Sequence, residues 1–169
     1  LCHLAFFALL HESCHRTAFT RRSLNTLGSW VAALSQPMSP ALMRAFHFEH
    51  HRHTHDVSRD PELARLKFMV HWPRHVLWLA TLMGVHLWGA RVVWSVFAAL
   101  VPQARLWGVV LYFVRPEARA EVAREARILV LIHGALLTAA CTVAPALLWF
   151  YAGLVVGHAY LGIYTLCEH

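Results

Sequence analysis

Apolar residues run in long, nearly unbroken blocks near both ends of the chain, and polar residues gather between them. Leu4 to Leu10 is an apolar run that ends at His11, and Glu12, His15 and Arg16 mark a boundary with water. It predicts the last turns of a membrane helix. Thr20 to Gly28 is polar and reads as a turn. Ser29 to Leu34 is short and apolar, and Pro37 and Pro40 break it. Ala41 to Thr54 predicts a helix. Asp60-Pro61 closes that unit, because the residue before a proline is biased away from helix. Pro116 suits a helix first turn, and Glu117, Glu121 and Glu125 recur every four residues among Arg119, Arg124 and Arg127. That segment predicts a solvated helix leading into a membrane. Ile128 to Ala144 and Ala146 to Leu166 are continuously apolar apart from single polar groups, with Pro145 between them. They predict a transmembrane hairpin turning near Pro145.

Residues 68–113 break the pattern. They hold five of the seven tryptophans, and Arg74, Arg91 and Arg105 interrupt the apolar runs. No run reaches the roughly 20 apolar residues of a simple span. Tryptophan-rich, arginine-punctuated helices suit the membrane interface. Ionisable groups inside apolar spans, here His133 and His158, are functional suspects; the plainer alternative is a histidine hydrogen-bonded across helices.

Composition agrees with a membrane protein. Hydrophobic residues make up 58% of 169, charged residues 14%, and the mean hydropathy is +0.47. The net charge of +6 raises nucleic acid as a partner, but all 15 Lys and Arg residues lie between Arg16 and Arg127. Basic residues confined between apolar ends mark a cytoplasmic face flanked by membrane segments, and no nucleic-acid motif accompanies them. The chain begins at Leu1 without an initiator methionine and stops at His169, and is read as a single incomplete domain over 1–169, truncated at both ends. The fold class expected is all-α: a multi-pass membrane protein with a helical hairpin, interfacial helices and a cytoplasmic metal site. Cys2, Cys14, Cys141 and Cys167 have no CxxC spacing, so neither a zinc ribbon nor an iron–sulfur site is signalled.

The candidate chemistry lies in histidines. Five of the 14 fall between His47 and His55. On a helix, His47, His50 and His51 stand at i, i+3 and i+4 and share one face. A solvated helix has no reason to stack three imidazoles, whereas a metal does. His11 and His15 form a second pair at i, i+4. Two such faces turned together offer five nitrogens, and a tetrahedral zinc uses four, so the excess points to two metals. His53 falls about 120° round the helix from His47 and should point away. His55 returns to the metal face only if the helix persists.

Three other readings fit part of this pattern. His11-Glu12-Ser13-Cys14-His15 matches H-E-x-x-H, in which two histidines hold zinc and the glutamate is the general base of a metalloprotease; that leaves His47, His50 and His51 unexplained. Carboxylate-bridged di-iron bundles need two E-x-x-H motifs, and only Glu12-Ser13-Cys14-His15 supplies one. A non-enzymatic histidine-rich metal binder, or a haem protein, is the remaining alternative.

H-x-x-x-H at 11–15, then H-x-x-H-H at 47–51, then an apolar hairpin, resembles the membrane fatty acid desaturase superfamily. His50-His51-Arg52-His53-Thr54-His55-Asp56, followed by Arg59-Asp60-Pro61-Glu62-Leu63, is similar to bacterial members, as is the ending Cys167-Glu168-His169. The resemblance covers nearly the whole chain; a third histidine box is not in it. It implies an enzyme of a bacterial inner membrane that holds two iron ions on the cytoplasmic side. With O2 and two electrons from a ferredoxin or cytochrome, such an enzyme desaturates a lipid acyl chain. Hydroxylases of lipids, carotenoids or alkanes share the same boxes. By this resemblance His11, His15, His47, His50, His51 and His169 are iron ligands, and Glu12, Glu49 and Asp56 orient ligand rings. The hairpin and the tryptophan-rich segment would shape the acyl channel, with His158 lining it about 16 Å deeper than His169.

Overall fold

The computed structural model describes residues 2–63, 73–76, 79, 84–101 and 105–168, with side chains left aside at 2, 85–86 and 163–168. Among these residues every regular element is helical. In chain order they are α1 (Cys2–His15), α2 (Arg22–Ser35), α3 (Pro40–His53), α4 (Val85–Leu100), the short α5 (Trp107–Val110), a 3-10 turn (Pro116–Ala118), α6 (Arg119–Thr142) and α7 (Leu147–Glu168).

In the polar stretch 20–28, only Thr20 and Arg21 precede the helix, and residues 22–28 are not a turn but the first half of α2. Its start is tied by Asn25, whose amide donates to the carbonyls of Phe19 (2.6 Å) and Arg21 (3.2 Å) while its oxygen accepts from the Phe19 N–H. The buried face of α2 is built of small residues, among them Gly28, Ser29, Ala32 and Ala33. At Gly28 a Cβ would stand 3.2 Å from Leu9 Cδ1 and 3.2 Å from Ser13 Oγ, so α2 lies hard against α1. Burial here comes from smallness rather than hydropathy, which is why the segment reads as polar.

α3 begins one residue before its expected start, with Pro40 in the first turn. Its N-terminal donors, which no helix satisfies internally, are met from two sides. Ser39 Oγ accepts from Leu42 N at 3.3 Å. The Glu125 carboxylate, from α6, accepts from Ala41 N at 2.7 Å. One of the three periodic glutamates is thus the device that anchors α3 on α6, its charge complementing the helix N-terminus. Replacing Glu125 with Ala is expected to lower stability by about 1–2 kcal/mol, the range of a lost N-cap. Gln, which keeps an acceptor oxygen, should lose less. Thermal denaturation of the two variants beside the wild type checks the order.

α6 and α7 form the expected hairpin, with Val143 to Ala146 as the connection. Pro116 to Thr142 is the one helical stretch among the described residues long and apolar enough to cross a membrane; Leu147–Gly162 and Leu87–Leu100 are shorter apolar segments. Leu131, Trp149 and Val156 stand outward on this hairpin, 58–79% exposed. The core lies between α1, α2, α3, α4 and α6 and contains Leu10, Cys14, Met38, Leu42, Trp107 and Val122.

The tryptophan-rich segment differs from its interfacial reading. Trp107 is wholly buried and donates through Nε1 to the Val101 carbonyl at 3.1 Å. Trp94 packs between Phe46 and Phe113, with centroids 5.5 and 5.2 Å away. Arg91 is buried too, donating to Gln36 Oε1 and lying 3.3 Å from His158 Nε2. Trp72 and Trp78 lie outside the described residues. Gly84, which precedes α4, has φ +58°, and a Cβ there would stand 1.9 Å from the His158 carbonyl oxygen. Glycine is therefore required where α4 meets α7 backbone to backbone.

Candidate metal centre

α1 and α3 pack together and bring the two histidine pairs face to face. One ring nitrogen each from His11, His15, His47 and His51 lies within 4.8 Å of all the others. His47 is at the middle. Its Nε2 is 2.7 Å from His15 Nε2 and 3.0 Å from His51 Nε2. The His11 and His47 rings meet edge-on, with centroids 4.4 Å apart. A single imidazole nitrogen carries one hydrogen or one lone pair, so His47 Nε2 cannot serve both neighbours as a hydrogen-bond partner. Metal coordination is an arrangement that could use all of these nitrogens.

Electrostatics keep the His47 and His51 nitrogens available. Burial pushes the His47 imidazole down to about 3, helped by the neighbouring rings of His11, His51, His15 and His50. His51 is lowered for the same first reason, followed by His15 and His50. Neutral imidazole is the form that ligates.

His50 stands beside this group rather than in it. Its Nδ1 donates to Asp60, at 3.0 and 3.1 Å from the two carboxylate oxygens, and lies 3.3 Å from Glu62 Oε2. Asp60 is 1% exposed and also accepts from Glu62 N at 2.8 Å. A buried carboxylate behind an imidazole is the usual support of a metal-binding histidine, because it fixes the tautomer and turns the other nitrogen forward. In the sequence Asp60 stands out as a helix stop and as part of the Arg59-Asp60-Pro61-Glu62-Leu63 stretch, not as a ring support. The signal for more was its place ten residues after His50 in a turn that folds back on α3.

Of the carboxylates singled out from sequence, Glu12 reaches a box histidine: its Oε1 accepts from His11 Nδ1 at 2.9 Å, and its Oε2 accepts from Thr17 Oγ1 at 2.5 Å. Glu49 instead faces Arg52 and His53, its neighbours at i+3 and i+4. Asp56 accepts from Ser58 in the turn after α3 and lies 3.9 Å from Arg59. The reason is the helix end. α3 stops at His53, and Thr54 leaves the helical path. His55 therefore takes a left-handed conformation, φ 67°, off the metal face. His53 points to Glu49, away from the cluster. His169 lies outside the described residues.

A cavity of about 580 Å³ opens from the histidines into the protein, walled by α1, α3 and α4 through Phe7, Met38, Met43, Phe46, Leu87 and Trp94. No described hairpin residue lines it. His158 is sealed instead, its Nδ1 donating to the Leu154 carbonyl at 2.9 Å and its ring 4.3 Å from that of His3. His133 is held across the hairpin by Tyr151, 3.1 Å from Nδ1.

Four histidine nitrogens that could hold a metal ion, with carboxylates behind His11 and His50, open on a largely apolar cavity inside a helical protein. The fatty acid desaturase family model matches residues 1–169, and the chain belongs to that family, whose members are membrane-associated oxidoreductases of lipid chains. No curated protein and no solved structure matches the chain.

Proposed function

We propose that this protein is a multi-pass membrane di-iron oxidoreductase that desaturates a fatty acyl chain, using O2 and two electrons from a ferredoxin or cytochrome. The observation that carries this is the convergence of His11, His15, His47 and His51 at the mouth of an apolar cavity. His11, His15, His47, His50 and His51 would hold the irons, joined on the sequence argument by His169. Imidazole suits iron, and the set holds more nitrogens than a tetrahedral zinc takes. When bound, the metal supplies the power to activate dioxygen and break an unactivated C–H bond.

The chain's own residues do the rest. Glu12 and Asp60 each accept from one ring nitrogen and so fix His11 and His50. Phe7, Phe46 and Trp94 wall the acyl path and exclude water. The exposed apolar surface of the hairpin suits lipid contact. The arginines flanking α3 and α6 favour a cytoplasmic metal face in a bacterial inner membrane.

Glu12 argues against the zinc protease reading. The Thr17 hydroxyl first, and His11 second, hold its carboxyl below the usual carboxylate range. A general base works best with a pKa near the working pH, so these contacts make Glu12 a weaker base and a better ring support.

Elemental analysis of the purified protein should return two irons per chain. Expression in a host fed labelled acyl chains should give a new double bond by mass spectrometry; a hydroxylated product instead selects the hydroxylase branch. One zinc with no iron, together with activity lost in Glu12→Gln and kept in His50→Ala, would overturn the proposal in favour of a protease.

A further inference from the structure

α4 and α6 pack together, and a second cavity, of about 560 Å³, lies between them and α7. Trp88, Val92 and Val96 of α4 and Leu129, Val130 and Leu137 of α6 line it. It shares no described lining residue with the histidine cavity, and none of its described walls carries a fixed charge. It is an open groove. Leu129 is 1% exposed, whereas Val96 and Leu137 are 38% and 43% exposed.

The groove has a polar end and an apolar end. Arg127 Nε of α6 donates to the Ala99 carbonyl of α4 at 3.0 Å. From that contact the lining runs back along α4 to Trp88 and forward along α6 to Leu137, so the two helices are antiparallel here. Val130 to Leu137 covers ~10 Å, about a third of a ~30 Å hydrocarbon core. These residues belong to the apolar part of the membrane-length stretch Pro116–Thr142. Arg127 is the last Lys or Arg of the chain and directly precedes the apolar run from Ile128. Its side chain is therefore at the water boundary, one helical turn from Val130, and Ala99 is one turn from Val96.

The bond through Nε pins the guanidinium across the gap between the helices. Arg127 is exposed, and no described group accepts from its two terminal nitrogens. Glu125, the nearest carboxylate in sequence, is turned to Ala41 N. A hydrocarbon alone would fill the groove and leave this cation to water. A free phosphate would meet the cation and leave the groove open. A phospholipid matches both, because a guanidinium fork fits a phosphate and basic groups between membrane helices at the water boundary recognise lipid head groups.

We propose that Arg127 and this groove form a binding site for a glycerophospholipid of the bilayer, its phosphate on the guanidinium and one acyl tail along α4 and α6. The site rests on the membrane part of the reading above, and on neither the metal nor the reaction.

Two photo-crosslinkers test it on the purified protein in dodecyl maltoside: phosphatidylglycerol with a diazirine in one tail, and diacylglycerol with the same tails. Mapped by peptide mass spectrometry, phosphatidylglycerol should label residues within 88–96 and 129–137 several-fold more than diacylglycerol. Unlabelled phosphatidylglycerol should compete, and glycerol phosphate, which lacks tails, should not. Arg127→Gln should lower phosphatidylglycerol labelling about tenfold, the loss of a hydrogen bond to a charged group, and leave diacylglycerol labelling unchanged. Should Arg127→Gln fail to fold, Leu137→Trp carries the test: it fills the groove from its exposed rim and should remove labelling there by both lipids. Labelling of the outer hairpin face, 147–156, reports whether the hairpin meets lipid at all. Labelling on that face with none in the groove overturns the site alone and leaves the membrane reading standing. Equal labelling of the groove by the two lipids in the wild type, or phosphatidylglycerol labelling unchanged in Arg127→Gln, overturns it as well.

Discussion

Replacing His47 with alanine is expected to reduce bound metal to below about a tenth of the wild-type content and to abolish turnover, the largest effect of any single box substitution. His47 is the buried member of the group, 7% exposed, and its Nε2 is the point on which His15 and His51 converge. Losing a supporting group costs metal sites roughly 10- to 100-fold in affinity, and losing the central ligand exceeds that. The fold should survive. His47 contributes no described bond outside the cluster, and α3 is held at its other end by Ser39 and Glu125. The measurement is metal content by mass spectrometry beside gel filtration in detergent. An iron content in His47→Ala equal to wild type would remove the cluster from the metal site. His53→Ala is the matched control: His53 sits on the same helix but faces Glu49, and it should keep its metal.

The histidine site was legible in outline because helical spacing alone decides which side chains share a face. His11 with His15, and His47 with His51, needed only that rule and a contact between α1 and α3. The hairpin was legible because Pro145 interrupts two long apolar runs. What escaped the sequence depends on where a loop returns or how closely two helices approach. Glu49 and Asp56 stand nearest the boxes in sequence, so they were the natural ring supports. The turn after His53 instead brings Asp60 back beneath His50, which no periodicity encodes. Likewise the first half of α2 hides its burial in Asn25 and Gly28, residues that hydropathy does not score as apolar. Trp94, Trp107 and Arg91 read as interfacial because tryptophan and arginine prefer that zone, but their partners, Phe113, the Val101 carbonyl and Gln36, lie far away or across a turn. The cavity walls followed from the same packing, with α4 rather than the hairpin beside the histidines.

Asp60→Asn is expected to lower metal affinity by roughly 10- to 100-fold while changing thermal stability little. The carboxylate has two tasks. One oxygen accepts from Glu62 N at 2.8 Å and so fixes the turn; both oxygens face His50 Nδ1, at 3.0 and 3.1 Å. Asparagine fills the same volume and keeps one acceptor for the turn. The kept oxygen, Oδ1, still faces His50 Nδ1, but the NH2 in place of Oδ2 meets the His50 N–H donor to donor. The ring is then held less firmly, and the charge that raised the basicity of its other nitrogen is gone. Asp60→Ala removes both tasks and should lose stability as well, since it takes away the acceptor of the Glu62 N–H and leaves the His50 donor to the Glu62 carboxylate, 3.3 Å away. Asp56→Asn supplies the comparison, because Asp56 bonds Ser58 in the same turn and touches no box histidine. Metal titration of the three variants, with melting curves alongside, separates the roles. Affinity should fall in Asp60→Asn and stay within about twofold of wild type in Asp56→Asn, a half-exposed position whose contacts lie within the turn. Equal affinities in the two asparagine variants would mean that Asp60 only closes the turn after α3, and that His50 is positioned without it.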